Sequence, residues 1–358
     1  MTVRVFILTL LAMIAFASNS LLCRAALKQT AIDPATFTFV RIFSGAVALW
    51  LILQSRRKLI VDRIRRAGRP ADGLQSPVGR RVSDSGEPES TAPPLVESFS
   101  SDSPATPKPR KSGSHVTRHS SLANGDWPSA IALFVYAAGF SFAYVDLSAG
   151  TGALLLFGAV QATMILWGFR KGERLDAIQI LGIALALIGL VVLVFPGISA
   201  PPLIGSIFML VAGVAWGVYS LRGKTAANAT AATAGNFLGA VPFATLIGLV
   251  AFRHARFDSL GITYAVISGA ITSGLGYVVW YAALADLKAA SAATVQLSVP
   301  VLAATGGILL LGESINLRYV IASIAVLGGI ALVIIERQRS PSSALDESGR
   351  PADGTGRI

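Results

Sequence analysis

Apolar residues in this chain fall in long unbroken runs rather than in alternation. Ten runs stand out, at 3–22, 35–54, 128–146, 149–168, 177–195, 203–221, 233–252, 260–282, 289–311 and 317–335. As a helix rising about 1.5 Å per residue, each can cross most or all of the roughly 30 Å of bilayer hydrocarbon. The runs are rich in Gly and Ala, which lets helices approach closely in lipid. They are too long for strands of a membrane barrel and lack the in–out alternation of such strands. Most connections are short, so sequential helices pack as antiparallel neighbours. The pattern predicts an all-α integral membrane protein with ten transmembrane helices. The first run, "MTVRVFILTLLAMIAFASNS", also has the form of a secretory signal, with a basic start, an apolar core and small residues at Ala15 and Ala17. The internal repeat described below requires it as a permanent helix.

One segment breaks the pattern. Residues 56–126 open with "RRKLIVDRIRRAGRPADG" and continue rich in Ser, Pro, Gly and charge. Such a segment cannot bury enough apolar surface to offset its chain entropy, which predicts a disordered insert. Its first part, 56–66, has the composition of a basic helix lying on headgroups. The tail, 339–358, is polar and is expected to be disordered as well.

Composition sharpens the picture. Hydrophobic residues make up 53% of the chain, charged residues 14%, and the mean hydropathy is +0.64. Soluble domains carry about 25% charged residues, so lipid is the solvent this surface suits. The 30 Lys and Arg exceed the 19 Asp and Glu. In this setting the excess marks loops facing an anionic leaflet and calls for no nucleic acid. With ten spans, and with the insert beyond residue 66 and the tail beyond 339 left uncounted, one face collects 15 basic residues and the other five. The positive-inside rule then predicts that both termini and the insert are cytoplasmic. The single cysteine, Cys23, can form no intrachain disulfide.

The chain repeats itself. "GERLDAIQILGIALALIGLVVLV" from Gly172 and "GESINLRYVIASIAVLGGIALVI" from Gly312 match at an offset of 140 residues. At the same offset, "YVDLSAGTGALLL" (144–156) aligns with "LADLKAASAATVQ" (284–296). Further back, "AFASNSLLCR" (15–24) resembles "AWGVYSLRGK" (215–224). The chain therefore divides into two five-helix repeats, 1–55 with 127–198, and 199–338. Five is odd, so the halves enter the membrane from opposite sides as inverted repeats. That architecture is a signature of secondary transporters, with the substrate site near the midplane between the halves.

Several residues carry a further likeness: Lys28 after the first run, Pro34 and Arg41 in "DPATFTFVR", Pro300 in the ninth, and the Gly-Glu pair opening the last run of each half. In these the chain resembles the EamA-type branch of the drug/metabolite transporter superfamily. The resemblance covers nearly everything outside 56–126 and the tail. It departs where the family often has a proline in the fourth span and this chain has Val160 and Gln161, and the long insert is unusual. The resemblance implies a carrier of small metabolites, such as amino acids or drug-like compounds, often an exporter, in the inner membrane. The related small multidrug resistance branch relies on a glutamate in its first span, which this chain lacks.

Polar groups within a span are costly in lipid and are expected to face the bundle interior. They single out Asn19 and Ser20, Gln161, Trp216 and Tyr219, Asn236, Tyr277, Trp280 and Tyr281, and Gln296 and Ser298. Of these, Asn19, Gln161, Trp216, Tyr219, Asn236, Tyr277, Tyr281 and Gln296 are the candidate substrate-cavity residues, able to grip a zwitterionic or aromatic ligand. Each has a plainer role available: helix-to-helix bonding for the amides, interface anchoring for the aromatics near span ends. Arg41 is expected near the outer end of span two, snorkelling or bonded to a backbone carbonyl. Glu173 and Glu313 are expected to favour the N-terminal dipole of the helix that follows each.

Other function classes find less support. An enzyme needs acids, nucleophiles or metal ligands at depth, whereas the only histidines are His115 and His119 in the insert and His254 in a loop. No metal or other cofactor is expected, and no phosphate-cradling glycine loop is present. A membrane scaffold or sensor acting through the Ser-rich insert is the alternative; deleting 67–125 separates it from a carrier, which keeps transporting. Ten spans can enclose a cavity in a monomer, so the sequence leaves monomer or homodimer open.

Overall fold

A computed structural model describes residues 2–67, 125–172, 176–197, 200–223, 226, 228–284, 286–287 and 295–347. The chain divides into two compact units, Met1–Arg56 with Ser121–Ile358, and Arg57–Ser120. Of the second unit only the helical residues up to 67 are described. The packing and the site described below belong to the first.

Every regular element among the described residues is helical. In chain order they are α1 (Val3–Gln29), α2 (Pro34–Ala67), α3 (Trp127–Ala143), α4 (Ala149–Arg170), α5 (Ala177–Val194), α6 (Leu203–Gly223), α7 (Ala229–Val250), α8 (Ser259–Leu284), α9 (Ser298–Leu311) and α10 (Leu317–Glu347). Eight are long and apolar enough to cross a membrane, while α3 and α9 are shorter apolar helices. Of the ninth run predicted from sequence, 289–311, the described residues 295–311 are helical apart from a turn at Leu297; residues 288–294 lie outside the described set. Two helices overrun their predicted ends. α2 continues through "RRKLIVDRIRRA", and α10 continues past 338 into the first nine residues of the expected disordered tail. Once an apolar span has nucleated a helix, each added residue gains a hydrogen bond at little cost, so the polar flank follows.

The helix starts are set by local chemistry. Asp126, Ser148, Asn228 and Asp258 each accept a backbone N–H from the first turn of the helix they precede. The two repeated Gly-Glu motifs share a backbone feature. Gly172 and Gly312 both adopt positive φ, 88° and 62°, where a side chain would be strained.

Outward-facing positions on these helices are apolar, Leu10, Trp50, Leu166, Leu181, Ile188, Leu246, Leu309 and Ile324 among them. Large apolar residues spread around the outside of a bundle match lipid rather than water. Inside, α1 packs on α4, α8 and α9, and α6 packs on α3 and α4. The most extensive helix pair is α5 with α10, the two copies of the repeated segment. Their contact is glycine-lined: a Cβ on Gly182 would stand 2.6 Å from the Gly329 carbonyl oxygen, and one on Gly329 would stand 2.8 Å from the Ala186 nitrogen. Gly328, one position earlier, has open space around it.

This contrast yields a test. Gly329→Val is expected to lower thermal stability by about 1–3 kcal/mol through overpacking, whereas Gly328→Val is nearly neutral. Melting of the two purified variants by fluorescence-detected size exclusion checks it.

Candidate functional site

The middle of the bundle is built of rings. Phe16, the central residue of α1, stands edge-on to Trp216 of α6 (6.3 Å between centroids) and to Tyr277 and Trp280 of α8 (6.0 and 5.9 Å). Trp216 also meets Tyr136 of α3 at 4.8 Å, Tyr277 at 5.0 Å and Tyr219 at 5.4 Å. All are buried. Aromatic pairs at such separations prefer tilted and edge-on geometries, as here.

A polar network crosses the same region. Asn19 donates to the Tyr136 hydroxyl (3.3 Å), and its Oδ1 accepts from Ser268 (2.6 Å) and Thr272 (3.1 Å) of α8. Arg41 of α2 donates through Nη2 to the Tyr136 hydroxyl (3.0 Å) and to Ser273 Oγ (3.4 Å). Its guanidinium lies 5.2 Å from the Tyr136 ring centroid and 4.8 Å from that of Phe140. Ser268, Thr272 and Ser273 belong to a π-helical stretch, Ile267–Leu275, within α8. Such widened turns are frequent at functional sites, since they free backbone groups and re-aim side chains. Buried polar atoms of the region left without a hydrogen-bond partner are Arg41 Nη1, the Tyr219 and Tyr277 hydroxyls and Gln161 Nε2.

Between the rings lies a cavity of about 20 Å³, lined by Phe16, Asn19, Tyr136, Trp216, Thr272 and Tyr277 among others. That is room for about one water, so the centre is closed in this conformation.

The sequence candidates divide. Asn19, Trp216, Tyr219 and Tyr277 come together in the central cluster. Gln161 is buried one turn beyond Phe157 of the cavity wall, and its Nε2 has no hydrogen-bond partner. Asn236 is buried, and its Oδ1 accepts the Asp126 N–H at 3.0 Å, fixing the chain where it enters α3. Tyr281 is half-buried with its hydroxyl beside Gly223 at the end of α6, and Gln296 is half-buried just before α9. Glu173, His115 and His119 lie outside the described residues.

Two expectations need correction. Arg41 neither snorkels nor binds a carbonyl; it is 2% exposed and takes the Tyr136 and Ser273 hydroxyls, because α2 turns that face inward against α3 and α8. Glu313 serves α4 rather than the helix that follows it. Its Oε2 accepts the Ala149 N–H (2.8 Å) at the α4 N-terminus, where the helix dipole favours a negative charge. Its Oε1 pairs with Arg24 Nε at 3.1 Å, and Arg24 Nη1 donates to the Tyr144 and Val145 carbonyls at 2.9 and 2.7 Å. The two side chains are only 10% and 7% exposed. One buried pair thus ties α1, the end of α3, the start of α4 and the loop after α9.

Sequence reasoning missed Phe16, Tyr136, Phe140, Arg24 and the α8 hydroxyls. Two signals were available. Phe16 occupies the position of Trp216 in the repeat, and "ISGAITSGL" is a polar patch inside an apolar run.

The opposite end of α3 carries a looser cluster. Asp126 pairs with Arg222 (2.8 Å, both about half exposed) and with Ser129, which Arg222 Nε also reaches at 3.0 Å. Burial opposes ionisation of Asp126, but hydrogen bonds from Ser129 and Arg222 outweigh it and hold the carboxyl below its usual value.

The EamA-like transporter family model matches residues 203–335. An uncharacterized protein of Pseudomonas aeruginosa is 48% identical over 334 residues, covering 93% of this chain and 96% of its own. The chain belongs to the EamA-like transporter family. It is a multi-pass membrane protein of a transporter family, not of an enzyme family. A Salmonella typhimurium protein named "Probable amino-acid metabolite efflux pump" is 26% identical over 201 residues, 51% of this chain and 67% of that one. A solved crystal structure, 16% identical, superposes with a TM-score of 0.53 over 94% of this chain and 98% of its own, which shows a shared fold.

Two outcomes follow. Arg24→Met and Glu313→Gln are each expected to cost about 3–5 kcal/mol, since each strands a buried charge or its partners. The double variant is expected to cost less than their sum, read as a coupling energy from thermal melts. For Asp126, a lowered carboxyl pKa means stability present above about pH 4 and lost as pH falls through the lowered value. Wild type and Asp126→Asn are therefore expected to differ at pH 7 and to converge toward pH 3. Exposure keeps the difference small, within about 1 kcal/mol.

Proposed function

We propose that this protein is a secondary transporter, an exporter of small metabolites such as amino acids or drug-like compounds, working by alternating access between two inverted five-helix repeats. Both termini are cytoplasmic in this reading, the membrane is the inner membrane, and α3 and α9 complete ten spans with the eight longer helices.

The observation that carries the reading is the meeting of α1 and α6 at the centre. Phe16 and Trp216 occupy equivalent positions in the repeat, as do Asn19 and Tyr219, and the first pair is in ring contact. The two Gly-Glu glycines share their left-handed backbone, and the helices they introduce pack on each other. These pairings support a twofold relation between the halves, which is what lets the halves exchange conformations and move a central site from one face to the other. Under the same reading the Arg24–Glu313 pair closes the outer end and the Asp126–Arg222 cluster stands at the cytoplasmic end. The central cavity, too small for a metabolite, then corresponds to a closed intermediate. Opening requires the rings of Tyr136, Trp216 and Tyr277 to part, and the π-helical stretch of α8 is the segment that gives. The name of the Salmonella relative supports amino-acid metabolites as cargo.

The test is transport by the purified full chain in liposomes loaded with pooled metabolites. Wild type is expected to release a subset. Trp216→Ala and Asn19→Leu, at equal abundance, are expected to lose at least about tenfold in rate, or roughly 1.4 kcal/mol of transition-state stabilisation. Rates unchanged in both variants would place the site elsewhere.

A further inference from the structure

We propose that Arg41 is the receptor for a carboxylate on the transported molecule. The substrate class is then small organic acids with an apolar or aromatic body, free amino acids among them. This rests on the transporter reading above and narrows it.

The charge balance around Arg41 is the starting point. The guanidinium is fully buried, and its recorded hydrogen bonds are to two neutral hydroxyls, both through Nη2. Nη1 has no partner. Among the described residues no carboxylate reaches it: the ion pairs there are Arg24–Glu313 and Arg222–Asp126. A guanidinium carries five N–H donors in a fixed fork and cannot shed its proton, so it cannot escape the cost by becoming neutral. Held in a low-dielectric interior without a counter-charge, it remains under-satisfied. Rings beside it recover part of that cost through cation–π attraction. None supplies a negative charge.

The ligand that completes the site must bring what is missing. A neutral molecule leaves the charge unpaired. A cation adds repulsion. A carboxylate accepts two parallel N–H bonds from the fork and neutralises it. Access is one ring deep, because Tyr136 and Phe140, which flank the guanidinium, also line the central cavity. The ring separation that admits a substrate is therefore the movement that uncovers Arg41. The opposite wall, Phe16, Trp216 and Tyr277, suits an apolar or flat body, and no acidic residue lines this cavity to demand an ammonium group. A zwitterion is still accommodated, with its ammonium over the ring faces.

The competing role is purely structural, a bolt joining α2 to α3 and α8. Ligand selectivity separates the two. The purified full chain in nanodiscs is titrated with 3-phenylpropionate, L-phenylalanine and phenethylamine, following tryptophan fluorescence and thermal stabilisation. The first two are expected to bind and the amine not. Arg41→Met is expected to weaken both carboxylates by about 10- to 100-fold, the scale of a hydrogen bond to a charged group, and to erase the preference over the amine. Arg41→Lys is expected to fall between. The proposal is overturned if the amine binds as tightly as the acids, if neither acid binds at millimolar concentration, or if folded Arg41→Met keeps the preference. Should Arg41→Met not fold, the ranking of the three probes on wild type decides alone. Liposome export of only neutral or cationic metabolites also overturns it while leaving the carrier reading intact. Export of nothing from the pool rejects the carrier reading itself.

Discussion

Inside a bilayer no water is available, so every polar group placed there must be satisfied by the protein or by what the protein carries. The centre of this chain is organised by that constraint. Asn19 uses both ends of its amide, one toward Tyr136 and one toward the α8 hydroxyls, and so couples α1 to α3 and α8. Arg41 meets the same tyrosine from α2. The apolar rings around them exclude lipid and leave space for about one water. The network leaves some donors open, Arg41 Nη1 and the Tyr277 hydroxyl among them.

The ends of the bundle follow from the same cost. Arg24 and Glu313 are nearly buried, and each fills its remaining capacity with backbone groups, two carbonyls for the arginine and one helix N–H for the glutamate. Asp126 and Arg222 are about half exposed and solvent screens them. A buried, fully bonded pair is costly to break, and a solvated one is cheap. In the transporter reading the two ends therefore differ in how much free energy opening requires, and a bound substrate must offset the larger cost at the Arg24–Glu313 end.

Most of the architecture could be read from the chain. Runs of about 20 apolar residues announce helices because nothing else satisfies the backbone in lipid, and the helix positions agree to within a few residues over most of the described chain. The repeat in the sequence was legible because Gly172 and Gly312 share a positive-φ backbone and because Gly189 and Gly329, equivalent at the same offset, both meet backbone at close range; those needs are local and leave a mark in sequence. The site was only half legible. Trp216, Tyr277 and Asn19 declared themselves as large or polar residues deep in a span. Phe16 and Phe140 did not, because a phenylalanine in a membrane helix looks the same facing lipid or facing a site. Arg41 misled for a related reason: depth along a helix can be counted, but rotation about its axis is set by packing partners far away in sequence. Glu313 shows the limit most plainly, since its targets, Arg24 and Ala149, lie 289 and 164 residues distant.

The central claim is that the Asn19–Tyr136–Trp216 region is a site reached in turn from each side of the membrane. The direct measurement is reactivity of Asn19→Cys, in a chain whose native Cys23 is replaced by Ser, toward an impermeant maleimide applied to right-side-out and inverted vesicles. The account predicts labelling from both faces, with labelling from one face blocked when an Arg24→Cys, Glu313→Cys cross-link holds the outer end shut. Labelling from one face alone without any cross-link, or from neither, would contradict it.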